Sequence, residues 1–105
     1  MRFVETAIFT RALLNLLSDD EYRSLQLALM LRPDAGDLIP GSGGLRKIRW
    51  SLAGKGKRGG TRVIYYWQRG GEVIYMLFIY AKSRQEDITP EQMKILSKLV
   101  KENLK

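Results

Sequence analysis

The chain has 105 residues, a net charge of +7, 45% hydrophobic residues, no cysteine and no histidine. That length and apolar content suit one core-forming domain over residues 1–105 and argue against disorder. The missing thiols and imidazoles exclude disulfides, thiolate chemistry, the commonest general base and the commonest metal ligand, so neither a metal nor another cofactor is expected.

The opening stretch MRFVETAIFTRALLNLL lacks a long apolar run and carries Glu5, which makes a poor signal peptide. Residues 2–8, RFVETAI, read as a first strand. Residues 9–17 place Phe9, Ala12, Leu13, Leu16 and Leu17 at helical spacing. Ser18 and Glu21 then form a capping box. The helix behind it, residues 21–32, stacks Tyr22, Leu25, Ala28 and Leu29 on one stripe until Pro33 and Gly36 end it. PDAGDLIPGSGG reads as a loop.

The period changes in the second half. Residues 45–51 read as a strand, and Thr61–Gln68, TRVIYYWQ, is a stronger one by its β-branched and aromatic content. Arg69-Gly70-Gly71-Glu72 is a hairpin turn, because glycine adopts positive φ at little cost. Val73–Ala81 is apolar at both parities and so should be a central strand. It is also the longest apolar run, far short of the roughly 20 residues of a membrane span, so a cytoplasmic protein with no membrane partner is expected. Thr89-Pro90-Glu91-Gln92 starts a last helix that runs to about residue 103, with Met93, Leu96, Leu99 and Val100 inward. Trp50 and Trp67 are assigned to the core or to a partner-facing surface. The order β-α-α-β-β-β-α predicts a small α+β fold, with helices covering an antiparallel meander. Without sustained heptads, the free chain is expected to be a monomer.

Charge is unevenly spread. Residues 45–82 hold nine Lys/Arg and a single acid, Glu72, whereas residues 1–44 are net acidic. Clustered positive charge suits a polyanion, although a solubilising surface is the plainer alternative. The cluster centres on AGKGKRGGTR, a literal G-x-G-x-x-G at Gly54, Gly56 and Gly59. A dinucleotide fingerprint needs a helix directly after the glycines, and TRVIYYW is a strand. No Gly-Lys-Ser/Thr closes a phosphate loop either. What remains is a solvated hairpin tip or a grip on nucleic acid. Lys55, Lys57, Arg58 and Arg62 repel one another without a counter-charge, and a phosphate backbone would supply it.

Three stretches, LSDDEYRSLQLALMLRPDAGDLIPGSGGLRKIRW, GKGKRGGTRVIYYW and YMLFIYAKSRQEDITPEQ, resemble toxins of the RelE/ParE superfamily, close to the HigB type. The resemblance implies a compact RelE-like fold, with helices packed on a curved antiparallel sheet, and a ribosome-dependent endoribonuclease that cuts mRNA in the ribosomal A site, held in check by a cognate antitoxin. It matches Arg62 to an arginine that contacts the scissile phosphate. It matches Arg46, Lys47 and Arg49 in type to basic strand residues, and Lys82 to a basic residue closing the last strand, with Arg84 one place after Ser83. The catalytic tyrosine of RelE proper has no counterpart in EDITPEQ, so Tyr80 or Tyr66 would substitute, or lysines would carry the mechanism.

Cleavage by the 2′-hydroxyl needs proton removal, charge stabilisation and protonation of the leaving oxygen. A lysine crowded by cations has a lowered pKa, which suits Lys55, Lys57 or Lys82. Arg62 suits the developing phosphorane, and Tyr66 and Tyr80 suit orientation or base stacking. The catalytic set is therefore Arg62, Lys82, Lys57 and Tyr80. The RNA- and ribosome-binding set is Arg46, Lys47, Arg49, Lys55, Arg58, Tyr66 and Arg84. Register decides whether Arg62 and Tyr80 meet. A two-residue Gly70-Gly71 loop carried straight through pairs Arg62 with Ile79, so a shared site requires a three-residue loop or a bulge. The rival functions are a ParE-like gyrase inhibitor without chemistry of its own and a plain nucleic-acid-binding module.

Overall fold

The computed structural model describes residues 1–50, 60–68 and 70–103. Eight elements follow in chain order: β1 (Arg2–Glu5), α1 (Ala7–Leu16), α2 (Asp19–Leu31), β2 (Asp37–Leu38), β3 (Arg46–Trp50), β4 (Thr61–Gln68), β5 (Val73–Ala81) and α3 (Pro90–Asn103). The strands form one sheet in the order β1-β5-β4-β3-β2. Helices α1 and α2 cover one face and α3 the other, giving the expected α+β layering.

Local chemistry explains the ends of the helices. The Ser18 hydroxyl accepts from Glu21 N at 3.1 Å, and the Glu21 carboxylate accepts from Ser18 N at 2.7 Å, the full capping box. Thr89 and Gln92 repeat it ahead of α3, at 3.0 and 3.1 Å. Thr6 caps α1 by accepting from Phe9 N at 3.0 Å. The first strand therefore stops at Glu5 rather than residue 8.

Two features of the sheet differ from the sequence reading. The sheet is mixed, because β1 runs parallel to β5, with Arg2 opposite Val73 and Glu5 opposite Met76. Parallel neighbours need a long crossover, and the rest of the chain before β5 supplies it. Only hairpin neighbours have their direction fixed locally. The second feature is β2, a two-residue strand within PDAGDLIPGSGG that pairs Asp37 with Lys47 and Leu38 with Arg46. The turn after it closes on Ser42, whose hydroxyl donates to Ile39 O at 2.6 Å and accepts from Leu45 N at 3.0 Å. Gly44 sits at φ +110 with the Tyr66 ring 2.9 Å from where a Cβ would be, so both conformation and space select glycine there.

The core is two clusters separated by the sheet. Phe9, Leu25, Leu29, Val63, Tyr65, Ile74, Met76 and Ile79 fill the α1/α2 side, with Trp50 and Trp67 packed partly buried against them. Leu45, Ile64, Leu77, Tyr80, Leu96 and Val100 fill the α3 side. Helix-facing positions thus alternate along β4, odd residues toward α1/α2 and even residues toward α3.

Candidate nucleic-acid interface

The site begins with an irregularity in β5. Near the hairpin, Gln68 pairs with Val73 and Tyr65 with Met76. The next pair is Ile64 with Phe78, so Leu77 is an extra residue and the register shifts by one. Past the bulge, Val63 pairs with Ile79 and Arg62 with Tyr80. The chain therefore has the register of a two-residue turn at its tip and the other register at its far end. The bulged Leu77 carbonyl accepts the Thr6 hydroxyl at 2.8 Å, and Met76 O accepts Thr6 N at 3.1 Å. The residue that caps α1 thus also secures the bulge.

That shift builds a row across the sheet on the α3 side. Arg49 of β3 lies opposite Arg62 of β4, and Arg62 opposite Tyr80 of β5. Two residues back on the same face, Lys47 lies opposite Ile64, and Ile64 opposite Phe78. The Phe78 and Tyr80 rings are 5.7 Å apart. Like charges at directly opposed strand positions are unfavourable, so an Arg–Arg pair needs compensation. Arg62 and Tyr80 are buried, whereas Arg49 is exposed.

Tyr80 is unusual within this row. Its hydroxyl is buried and makes no hydrogen bond among the described residues. Burial pushes its pKa up to about 12; the Asp87 charge adds to this and the Arg62 charge opposes it. The phenol therefore stays protonated at neutral pH and can donate. Asp87 comes close enough to act on it without making a hydrogen bond of regular geometry.

Asp87 was not singled out by sequence reasoning. It sits between β5 and α3, and its carboxylate accepts from Lys47 Nζ at 2.9 Å and from Ile88 N at 2.8 Å. The hydrogen bond from Lys47 holds its pKa below the usual carboxylate range, partly offset by burial. A cleft of about 330 Å³ opens beside the pair, with Ile39, Pro40 and Met93 among its walls. The only signal in the chain was a pair of acids, Glu86 and Asp87, between a basic block and a capping box, with nothing to distinguish one from the other. The partner of Asp87 lies 40 residues away.

The remaining predicted residues divide. Lys82 N donates to Gly60 O at 3.1 Å, which puts Lys82, half-buried, at the Arg62 end of the sheet. Arg84 is exposed in the turn that follows. The β3–β4 connection leaves at Trp50 and returns at Gly60, at this same end. Lys55, Lys57 and Arg58 fall within it, outside the described residues. Tyr66 shares the face but lies four residues along β4, about 13 Å at strand rise, against Gly44. Arg46 is on the other face. It lies opposite Tyr65, and its guanidinium donates to Gly36 O at 2.8 Å and Asp34 O at 3.2 Å, tying the β2 approach to the sheet. The structure thus gathers Lys47, Arg49, Arg62, Tyr80 and Lys82, and separates Tyr66 and Arg46 from them.

Comparison with known proteins agrees with this architecture. The profile of a family described as the RelE toxin of the RelE/RelB toxin–antitoxin system matches residues 2–105. The intact RelBE toxin–antitoxin complex of E. coli contains a chain similar in fold, with a TM-score of 0.58 and 14% identity over 76% of this chain and 94% of that one. A doubly substituted variant of the E. coli toxin RelE in the free state is similar too, with a TM-score of 0.58 and 13% identity over 81% of this chain and 86% of that one.

Proposed function

The chain belongs to the RelE toxin family, and from that premise we propose that it is a ribosome-dependent mRNA interferase, a metal-independent endoribonuclease that stops translation. The observation that carries the reading is the β5 bulge, which sets Arg62 opposite Tyr80 and groups both with Arg49 and Lys47. In this scheme the 2′-oxygen of the RNA attacks phosphorus, the bond from phosphorus to the 5′-oxygen breaks, and a cyclic phosphate and a 5′-hydroxyl result. Arg62 stabilises the charge that develops on the phosphoryl oxygens. Tyr80, neutral and with a hydroxyl that makes no regular hydrogen bond among the described residues, donates to one of those oxygens. Lys47 and Arg49 hold neighbouring phosphates, and Lys82 and Lys57 are the candidates for moving the proton between the attacking and leaving oxygens. The buried state of Arg62 and Tyr80 fits an enzyme that is idle in free solution and opens on the ribosome, where positioning supplies much of the rate.

The same reading gives the chain a cognate antitoxin, as RelE has RelB in the E. coli complex, with acidic segments steered to residues 45–82. It places the protein in the cytoplasm, with the ribosomes. The test is primer extension on a reporter mRNA with and without ribosomes, for wild type and Arg62→Ala. Ribosome-dependent cuts that fall by roughly 10²-fold or more in Arg62→Ala are expected. Intact toxicity without cuts would contradict the nuclease and point to gyrase, read by a supercoiling assay.

A further inference from the structure

The basic row holds one acid that the proposed chemistry does not use. Glu72, the single acid of residues 45–82, lies at the hairpin tip, the far end of β4 and β5 from Arg62. Asp87 is brought in from outside that block. Its carboxylate receives one hydrogen bond from an ammonium group, Lys47 Nζ, and one from a main-chain amide, Ile88 N. That is the donor set a phosphate oxygen takes on a protein. Its charge also reaches the Tyr80 hydroxyl, on which Arg62 acts in the opposite sense. One anion thus holds one residue assigned to RNA, Lys47, and influences a second, Tyr80.

The pair is poorly placed to be a structural staple. The side chains of Lys47 and Asp87 are 32% and 59% exposed, and pairs of that exposure add little to stability. Asp87 is exposed on the short connection after β5. Its main chain is held, by Gln85 Nε2 donating to Asp87 O at 2.9 Å and by Ile88 packing on the α3-side cluster, so the movement needed is a turn of the Asp87 side chain alone, which leaves both core clusters in place. The adjoining cleft leaves room for an incoming group on the open side of the pair.

We propose that the Asp87 carboxylate is an internal stand-in for an RNA phosphate: it occupies Lys47 in the resting toxin, and a substrate phosphate takes its place. This rests on the reading that the Lys47 face binds RNA. Binding then exchanges one anion for another at Lys47. The free toxin holds RNA weakly, and a strand already positioned by the ribosome competes Asp87 off.

The test measures binding apart from cleavage. The probe is a fluorescein-labelled single-stranded RNA dodecamer with 2′-O-methyl groups throughout, which has no attacking hydroxyl. Anisotropy titrations over a salt series compare wild type, Asp87→Asn, Glu86→Gln, Lys47→Met and the Lys47→Met/Asp87→Asn double variant. Asparagine keeps an oxygen for Ile88 N, so the loop is retained. Asp87→Asn is expected to bind about 3- to 10-fold tighter, with a log–log salt slope steeper by about 0.7, one more phosphate neutralised. Glu86→Gln, which removes a neighbouring exposed charge, should gain less than about 2-fold, and Lys47→Met should erase the Asp87→Asn gain. The proposal is overturned if Asp87→Asn binds no tighter than Glu86→Gln, or if its gain survives in full without Lys47. A gain that depends on Lys47 in a protein making no ribosome-dependent cuts would uphold the stand-in and sink the nuclease. Cuts with no such gain would do the reverse.

Discussion

Tyr65 and Tyr80 are buried on neighbouring strands and opposite faces of one sheet, and they are treated in opposite ways. The Tyr65 hydroxyl donates to Pro33 O at 2.7 Å and accepts from Gly36 N at 2.8 Å. Beside it, Arg46 is spent on two main-chain carbonyls. On the α3 face, the Tyr80 hydroxyl has no hydrogen bond among the described residues, two arginines oppose each other, and an acid is drawn in from a loop. A buried hydroxyl left without a partner costs about 1–3 kcal/mol. Both faces carry a core cluster, but the α1/α2 face uses its polar groups to hold the fold, whereas the α3 face leaves the Tyr80 hydroxyl without a hydrogen bond among the described residues.

Mutations should separate the two faces. The largest effect on stability belongs to Phe9→Ala, which empties a fully buried site beneath α1 and should cost about 3–5 kcal/mol by urea unfolding. Next comes Tyr65→Phe, which strands the Gly36 amide and should cost about 1–3 kcal/mol by the same measurement. Tyr80→Phe deletes a hydroxyl that bonds nothing among the described residues, so it should leave stability within about 1 kcal/mol of wild type or raise it. A large loss there would break the comparison.

The smallest effect is alkaline. A phenol of unfolded pKa 10.0 raised to about 12 in the fold lets the unfolded state lose its proton first. The stabilisation is complete below pH 10 and is lost as pH rises through about 12. Tyr22 and Tyr65 are shifted the same way, chiefly by burial. Melting temperatures between pH 9 and 12 should therefore fall in wild type and fall less in Tyr80→Phe.

Features that rest on neighbours in the chain were legible in the sequence. The limits of β4 and β5 agree with their composition, and both capping boxes follow from residues three apart. Features that rest on distant contacts were not. The parallel seat of β1 depends on β5, some 70 residues on, and β2 is too short to carry a period. The bulge at Leu77 was foreseen only as one way to bring Arg62 to Tyr80. A run such as VIYMLFIYA is apolar at both parities, so nothing in it marks where the alternation slips. Arg46 and Lys47 are adjacent and chemically alike, yet strand alternation sends one to each face. Asp87 acquires its meaning only when the loop folds back onto Lys47.

The most direct test is ribosome-dependent mRNA cleavage by Tyr80→Phe and Tyr65→Phe side by side, at a temperature where urea unfolding shows both to be folded. The account predicts that Tyr80→Phe loses about 10-fold or more in cleavage rate with its stability intact, while Tyr65→Phe cleaves like wild type once folded. Wild-type cleavage by Tyr80→Phe would contradict the claim that the α3 face carries the chemistry.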